Sequence, residues 1–519
     1  MNSAGRSLDQ LFLDACGQRG ETDFIVDPVL RLSGRRAAEL TQRAAAAITA
    51  AGVERGRVVA FLCRASAPHL VSWFGALAAG AVACNLHARE SVAGLADTLA
   101  WLDAALLVYD DDLHELALQI AGSVPAIALG DERWRRRPAS SGDFDEAVKQ
   151  RTEAGALPAR DAAGSAGLDA LAAIVLSSGS TGRPKGAMHT HRTLIETTRA
   201  GQQLYSGIGP QDSTLVTMAP SFAAWIHVVL PYVVMGAKVV FDPVFEPQQF
   251  LDALARERIT MAPAVPTMWR RVLALDVAAV DLSALRVVSI SGEAPARSDL
   301  EALARICPTI NALYLASEGG NAAGVFASTD TLIGRGKTAA SGRSVSGAAL
   351  RIVDPAGDVD APLGAGEVGE ICLRGASLSI GYWRDEALTA QRFVGGWWRS
   401  GDLGRLDADG DLFVEGRIDN LINTGGMKVH AEEIERVLLT HPGVLNVAVV
   451  GVADPEWGQR IEAHVVARDA ALDADELIRH CREAGSLARY KVPKAVHLCR
   501  ELPLGPTGKL YRRALRSPQ

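Results

Sequence analysis

LAAIVLSSGSTGRPKG, residues 171–186, is a run of six apolar residues followed by a loop of hydroxyls and glycines that closes on Arg183, Pro184, Lys185 and Gly186. A short apolar run bounded by turn residues reads as a buried strand. Helical periodicity resumes near Thr190, so the loop joins a strand to a helix, the unit of an α/β layer. Its chemistry suits a polyphosphate. Glycines let main chain approach closely, hydroxyls and free amides donate hydrogen bonds, and Lys185 supplies positive charge. It is not a Walker A loop, because Lys185 is followed by Gly186 where that motif requires Ser or Thr. A flexible glycine-serine linker is a poor rival, since linkers rarely follow a buried strand or end in Pro-Lys-Gly.

Working outward, residues 37–52 (AAELTQRAAAAITAAG) and 69–80 (HLVSWFGALAAG) read as helices, and 56–63 (GRVVAFLC) and 81–86 (AVACNL) as strands. Further strands are expected at GAKVVFD, ITMAPAV and LRVVSIS, between residues 236 and 291. This alternation predicts two doubly wound parallel sheets. From Ala349 the texture changes to short strands split by turn residues such as Asp409 and Gly410, which predicts a small, mostly antiparallel layer. The last hundred or so residues alternate helix and strand, enough for a small α+β domain of its own. The expected division is 1–418 and 419–519, and residues 135–167 read as a surface connection.

Composition narrows the function. A chain of 519 residues needs more than one core, and a net charge of -7 with both signs interspersed gives no track for a nucleic-acid backbone. Seven cysteines lie scattered without metal-ligand spacing, which fits a reducing compartment. The opening MNSAGRSLDQLFLDACG lacks the apolar stretch of an export signal, so a cytoplasmic enzyme is expected. The apolar run 225–240 is interrupted by His227, Pro231 and Lys238 and is shorter than the roughly 20 residues a membrane span needs, so it reads as buried core.

Five more motifs follow the loop in order: Tyr314-Leu315-Ala316-Ser317-Glu318, Ser400-Gly401-Asp402-Leu403-Gly404, Gly416-Arg417-Ile418-Asp419-Asn420, Asn423-Thr424-Gly425-Gly426-Met427-Lys428 and Pro506-Thr507-Gly508-Lys509. Taken singly, each has a plain reading as a turn, a helix start or a basic tail. As a series, from about residue 60 to Lys509, they resemble the adenylate-forming superfamily of acyl-CoA synthetases, peptide-synthetase adenylation domains and firefly luciferase. The resemblance implies an ATP site of Ser177, Ser178, Gly179, Ser180, Thr181, Gly182 and Lys185, with Gly292, Glu293 and Ala294 beside adenine and Tyr314 stacked on it. It implies that Ser317 touches phosphate, that Glu318, with Thr181, holds Mg²⁺, and that Asp402 and Arg417 meet the ribose. Lys509, Lys185 and Glu318 become the catalytic set, Asp419 a hinge that makes the small C-terminal α+β domain mobile, and Gly425, Gly426 and Lys428 the lining of a pantetheine tunnel. Leu315 stands where the family has glycine and Asn420 where it has a second aspartate.

The implied reaction is acid + ATP + CoA to acyl-CoA, AMP and pyrophosphate through an acyl-adenylate. For the acid, Phe222, Ala223, Trp225, Ile226 and Gly319 suggest an apolar pocket closed by Trp225. The carboxylate that grips an α-ammonium in amino-acid-activating relatives is absent, so an aliphatic, alicyclic or aryl acid is expected. Tyr490 and Lys494, with His87 or Arg89, are candidates for the nucleotide end of CoA. Two rivals stand beside this reading: a ligase that loads the pantetheine of an acyl carrier protein, and a nucleotide-binding scaffold without catalysis.

Overall fold

The computed structural model describes residues 5–129, 167–177, 184–292, 295–468, 472–484, 487–504 and 510–516. The expected connection at 135–167 lies outside these, Gly167 excepted. The chain divides into two compact units, Met1–Leu350 with Leu373–Trp398, and Arg351–Cys372 with Arg399–Gln519.

The large unit holds two sheets. One has six strands in the order Ala126–Leu129, Ala104–Asp110, Val58–Leu62, Val82–Asn85, Leu171–Ser177 and Lys185–Thr190. All its neighbours are parallel except the last pair, where Ser177 lies opposite Lys185. The other has nine strands, with a parallel centre that includes Lys238–Phe241, Met261–Ala264 and Val287–Ser291 and antiparallel pairs at both edges. Parallel strands covered on both faces must be apolar throughout, and Val58–Leu62 and Val82–Asn85 are buried at every position. The expected α/β class and the strands that announced it are present.

Helices separate the sheets. Gly34–Ala50 starts on Ser33, whose side chain accepts from the Arg36 amide, and it packs on Ala67–Ala78 where Gly75 meets Ala44. The apolar run near Trp225 is the helix Ala223–Val234 followed by the strand Lys238–Phe241, both buried. Pro231 sits inside that helix, against Gly201 of the helix His191–Leu204. Thr190 caps the latter by accepting from the Thr193 amide, so His189 and His191 flank a helix start.

In the second unit Leu412–Arg417 pairs antiparallel with Trp397–Leu406, with the turn at Asp409 and Gly410 between them. The C-terminal part is a second small sheet of Leu421–Thr424, Met427–His430, Val444–Asp454, Gly458–Ala467 and Ala495–Cys499, backed by the helices Ala431–Leu438 and Ala474–Glu483. Its core is Ile422, Val429, Ile434, Leu438, Val449, Ile461, Ala463, Val465, Leu477 and Cys481. The seven cysteines are free thiols, six of them buried.

Candidate functional site

In the large unit the site grows from the hairpin Leu171–Ser177 and Lys185–Thr190, which brings Lys185 to the strand end from which the glycine-rich loop departs. Gly186 is required there by space: a Cβ would lie 2.8 Å from Ile174 and 3.2 Å from Trp383. The segment from Ser379 to Trp383 is stitched along this strand. Ile380 donates to the Met188 carbonyl (2.9 Å), Met188 to that of Gly381 (2.9 Å), and Trp383 to that of Gly186 (2.8 Å).

The same segment reaches Glu318. The Ser379 amide donates to the Glu318 carbonyl at 2.8 Å, and the Tyr382 hydroxyl donates to Glu318 Oε1 at 2.9 Å. Trp398 Nε1 donates to that hydroxyl at 3.2 Å, and Lys185 Nζ lies 6.0 Å from the Tyr382 ring centre. Burial pushes the Tyr382 phenol well up, with the neighbouring Glu318 charge adding to it, so the ring stays a neutral donor. Glu318 itself is buried, a costly place for a carboxylate without partners. One oxygen accepts the hydrogen bond from the phenol, and the other has no hydrogen-bond partner among the described residues. An oxygen donor so placed suits a hard cation such as Mg²⁺.

Behind Glu318, His189 Nε2 donates to the Ser317 carbonyl at 2.8 Å, and burial brings its imidazole down to about 4. Ser377 donates to the Gly319 carbonyl at 2.5 Å. Leu315, the departure from the family pattern, lies on Gly324, where a Cβ would meet its Cδ2. Tyr314 ends the strand Thr309–Tyr314, half-buried, and Gly292 follows Val287–Ser291 with φ +92°. Ser178 through Arg183, including Thr181, and also Glu293 and Ala294 lie outside the described residues.

Phe222 caps the helix Ala223–Val234 and, like Ala223, is half-buried. Ile226 and Trp225 are buried, Trp225 completely, its ring against His69 (5.2 Å) and Trp73 (5.8 Å). Asn85 fixes the loop before Phe222: its Oδ1 accepts from His69 Nε2 at 2.9 Å and its Nδ2 donates to the Pro220 carbonyl at 3.0 Å. A small cavity opens here, lined by Trp73, Asn85, Leu176, Pro220, Ser221 and Ile226. His87 is buried with its ring 6.1 Å from Phe222, whereas Arg89 is exposed.

In the second unit, Asp402 and Arg417 are register partners, with Nη1 of the arginine 3.0 Å from Oδ1 of the aspartate. Ser400 braces the strand before Asp402, accepting from the Asp402 amide (3.0 Å) and donating to the Ile371 carbonyl (2.7 Å). Asp419 is largely exposed, 3.9 Å from Arg417. Asn420 donates to Glu432 Oε1 at 2.8 Å, a bond the family's aspartate could not make when ionised. Gly425 (φ +58°) and Gly426 (φ +78°) form a two-residue hairpin turn between Thr424 and Met427, of the twist that antiparallel strands favour. A Cβ on Gly425 would lie 2.9 Å from the Trp457 ring. Lys428 and Tyr490 are exposed, and Lys494 Nζ lies 5.6 Å from the Trp457 ring centre. Lys509 lies outside the described residues.

The sequence motifs did not single out Tyr382, Trp398, Asn85 or Trp457. Only the Gly381-Tyr382-Trp383 triplet carried a local signal, an aromatic pair after a turn glycine.

Comparison with known proteins gives the family. The family model described as AMP-binding enzyme matches residues 12–383, and the one described as AMP-binding enzyme C-terminal domain matches 433–509. A feruloyl-CoA synthase from an Amycolatopsis species is 34% identical over 488 residues, 92% of this chain and 93% of that protein. A 2-succinylbenzoate–CoA ligase from Geobacillus kaustophilus is 30% identical over 440 residues, 84% of this chain and 87% of its own. Among solved structures, an amide bond synthetase from Marinactinospora thermotolerans superposes with a TM-score of 0.82 at 27% identity, covering 98% of this chain and 99% of that one.

Proposed function

The chain belongs to the AMP-binding enzyme family, and from that premise we propose that it is an ATP-dependent carboxylic acid–CoA ligase acting through an acyl-adenylate. The observation that carries the reading is the group of Lys185, Tyr382 and Glu318, in which a lysine lies 6.0 Å from the ring of a phenol whose hydroxyl bonds one oxygen of a buried carboxylate. Relatives named as CoA ligases over most of their length support the thiol acceptor.

Mg²⁺, when bound through Glu318 and Thr181, supplies charge neutralisation on the phosphates. Lys185 and the glycine-rich loop hold the β and γ phosphates, and Tyr314, Gly292, Glu293 and Ala294 hold adenine. Asp402, with Arg417 beside it, receives the ribose hydroxyls. Lys509 orients a carboxylate oxygen toward the α-phosphorus and stabilises the charge that develops as pyrophosphate leaves. Rotation about Asp419 then exchanges Lys509 for the Gly425–Gly426 turn, alongside which the CoA thiol attacks the mixed anhydride and releases AMP. Tyr490, Lys494 and His87 or Arg89 bind the nucleotide end of CoA. No side chain acts as nucleophile.

The acid is apolar. The half-buried Phe222 and Ala223 offer no charge, and relatives named for feruloyl and succinylbenzoyl groups favour an aryl acid within the aliphatic, alicyclic and aryl range. The test is incubation with ATP, Mg²⁺ and a panel of apolar and amino acids, with and without CoA, following AMP and thioester by mass spectrometry. Thioester from an apolar acid is expected. Adenylate without thioester would move the assignment to a carrier-protein loader, and the absence of both products to a scaffold. Lys509→Ala is expected to abolish adenylate formation yet spare thioester formation from supplied acyl-adenylate; equal loss of both steps would contradict the two-pose mechanism.

A further inference from the structure

The face of the C-terminal sheet opposite its core gathers three metal-binding side chains that the ligase reaction does not use. On the strand Gly458–Ala467, Ile461, Ala463 and Val465 point into the core, so the two-residue period turns Glu462 and His464 to the other face. The neighbouring parallel strand Ala495–Cys499 pairs His497 directly with His464. One carboxylate and one imidazole two residues apart, with a second imidazole across the ladder, form a three-point cluster on a rigid scaffold.

The distances support this. One ligand atom from each residue lies within 4.8 Å of the others. The two imidazoles stack at 4.8 Å between centres, and His497 Nε2 bonds Glu462 Oε2 at 2.9 Å. Ligand atoms around a tetrahedral zinc at about 2.0 Å stand about 3.3 Å apart, so small ring rotations close the cluster. A plain ion pair between His497 and Glu462 explains part of the arrangement. It does not explain His464, whose Nε2 is buried without a hydrogen-bond partner among the described residues, a cost that proteins rarely leave unmet.

We propose that Glu462, His464 and His497 bind one divalent transition-metal ion of the zinc type, distinct from the Mg²⁺ assigned to Glu318. Two imidazoles and one carboxylate match such an ion, and water completes the coordination. Arg460 bonds Glu462 Oε1 at 2.5 Å and orients the carboxylate, leaving Oε2 to exchange His497 for the metal. Cys499 shares the face, but its thiol is turned to the Val465 carbonyl at 3.5 Å and takes no part. Occupancy ties the edge strand Ala495–Cys499, which leads in sequence to Lys509, to its neighbour.

The experiment uses the full chain, free of any histidine tag and stripped with chelator. Zn²⁺ is titrated by calorimetry and Co²⁺ by visible absorption. One ion per chain is expected, with the absorption of a four- or five-coordinate nitrogen and oxygen site. His464→Ala and His497→Ala should each weaken binding by about tenfold or more. The milder His464→Gln and His497→Gln should do the same, so misfolding of the alanine variants leaves the test intact. Three results would overturn the proposal: no saturable binding below about 1 mM, affinity unchanged in the histidine variants, or a thiolate charge-transfer band.

Discussion

Tyr382 is the residue whose role was hidden until the chain folded. Its hydroxyl donates to Glu318 and accepts from Trp398, so it sets which oxygen of the carboxylate faces outward. A hydrogen bond to a charged group is worth about 1.5–3 kcal/mol. Tyr382→Phe is therefore expected to slow AMP formation by roughly tenfold or more and to raise the Mg²⁺ concentration for half-maximal rate, with acid KM little changed. Glu318→Gln serves as the reference. If it raises the Mg²⁺ requirement and Tyr382→Phe does not, Tyr382 is merely packed; if neither does, the metal assignment of Glu318 is wrong. Lys185, Glu318, Asp402 and Arg417 could be proposed beforehand because each stands in one of a series of motifs that resembles the family's. Tyr382 was not, since a phenol becomes a positioning group only through what lies opposite it.

At the level of elements, the strand Lys185–Thr190 was not anticipated between the glycine-rich loop and the helix. It exists because its main chain is paired on both sides, with Leu171–Ser177 and with the segment around Tyr382. The adjoining helices His191–Leu204 and Ala223–Val234 meet at Gly201, where a Cβ would stand 2.6 Å from both Cβ and Cγ of Pro231. Alanine gains about 1 kcal/mol of helix propensity over glycine. Overpacking against a rigid ring costs about 1–3 kcal/mol, and the ring cannot swing aside as a flexible side chain would. Gly201→Ala is thus expected to lower the urea midpoint of the large unit, and an unchanged or higher midpoint would show that the helices slide apart freely.

Across the whole molecule, three buried imidazoles make stability depend on pH. Burial lowers His69 and His189 to about 4 and His227 to about 3, well below the ordinary 6.5. Unfolded, each takes up a proton near pH 6.5, so the unfolded chain binds more protons than the folded one between there and about pH 4. Stability is full above that window and falls as pH drops through it, by roughly 4 kcal/mol per unit at mid-window for three groups. The thermal midpoint measured from pH 7.5 to 5.5 should decline steeply, and a flat profile would mean that these rings are charged or solvated when folded. Among the described residues no helix is long and apolar enough to cross a membrane. The sequence by itself determined the α/β class, the order of the motifs and the charged residues, because apolar periodicity, turn chemistry and local spacing are properties of neighbours in the chain. Only the tertiary structure decided that Tyr382 reaches Glu318, that Trp225 lies in the core, and that His464 and His497 stand side by side. Those are meetings of residues far apart in sequence, fixed by strand register and packing, which no local pattern encodes.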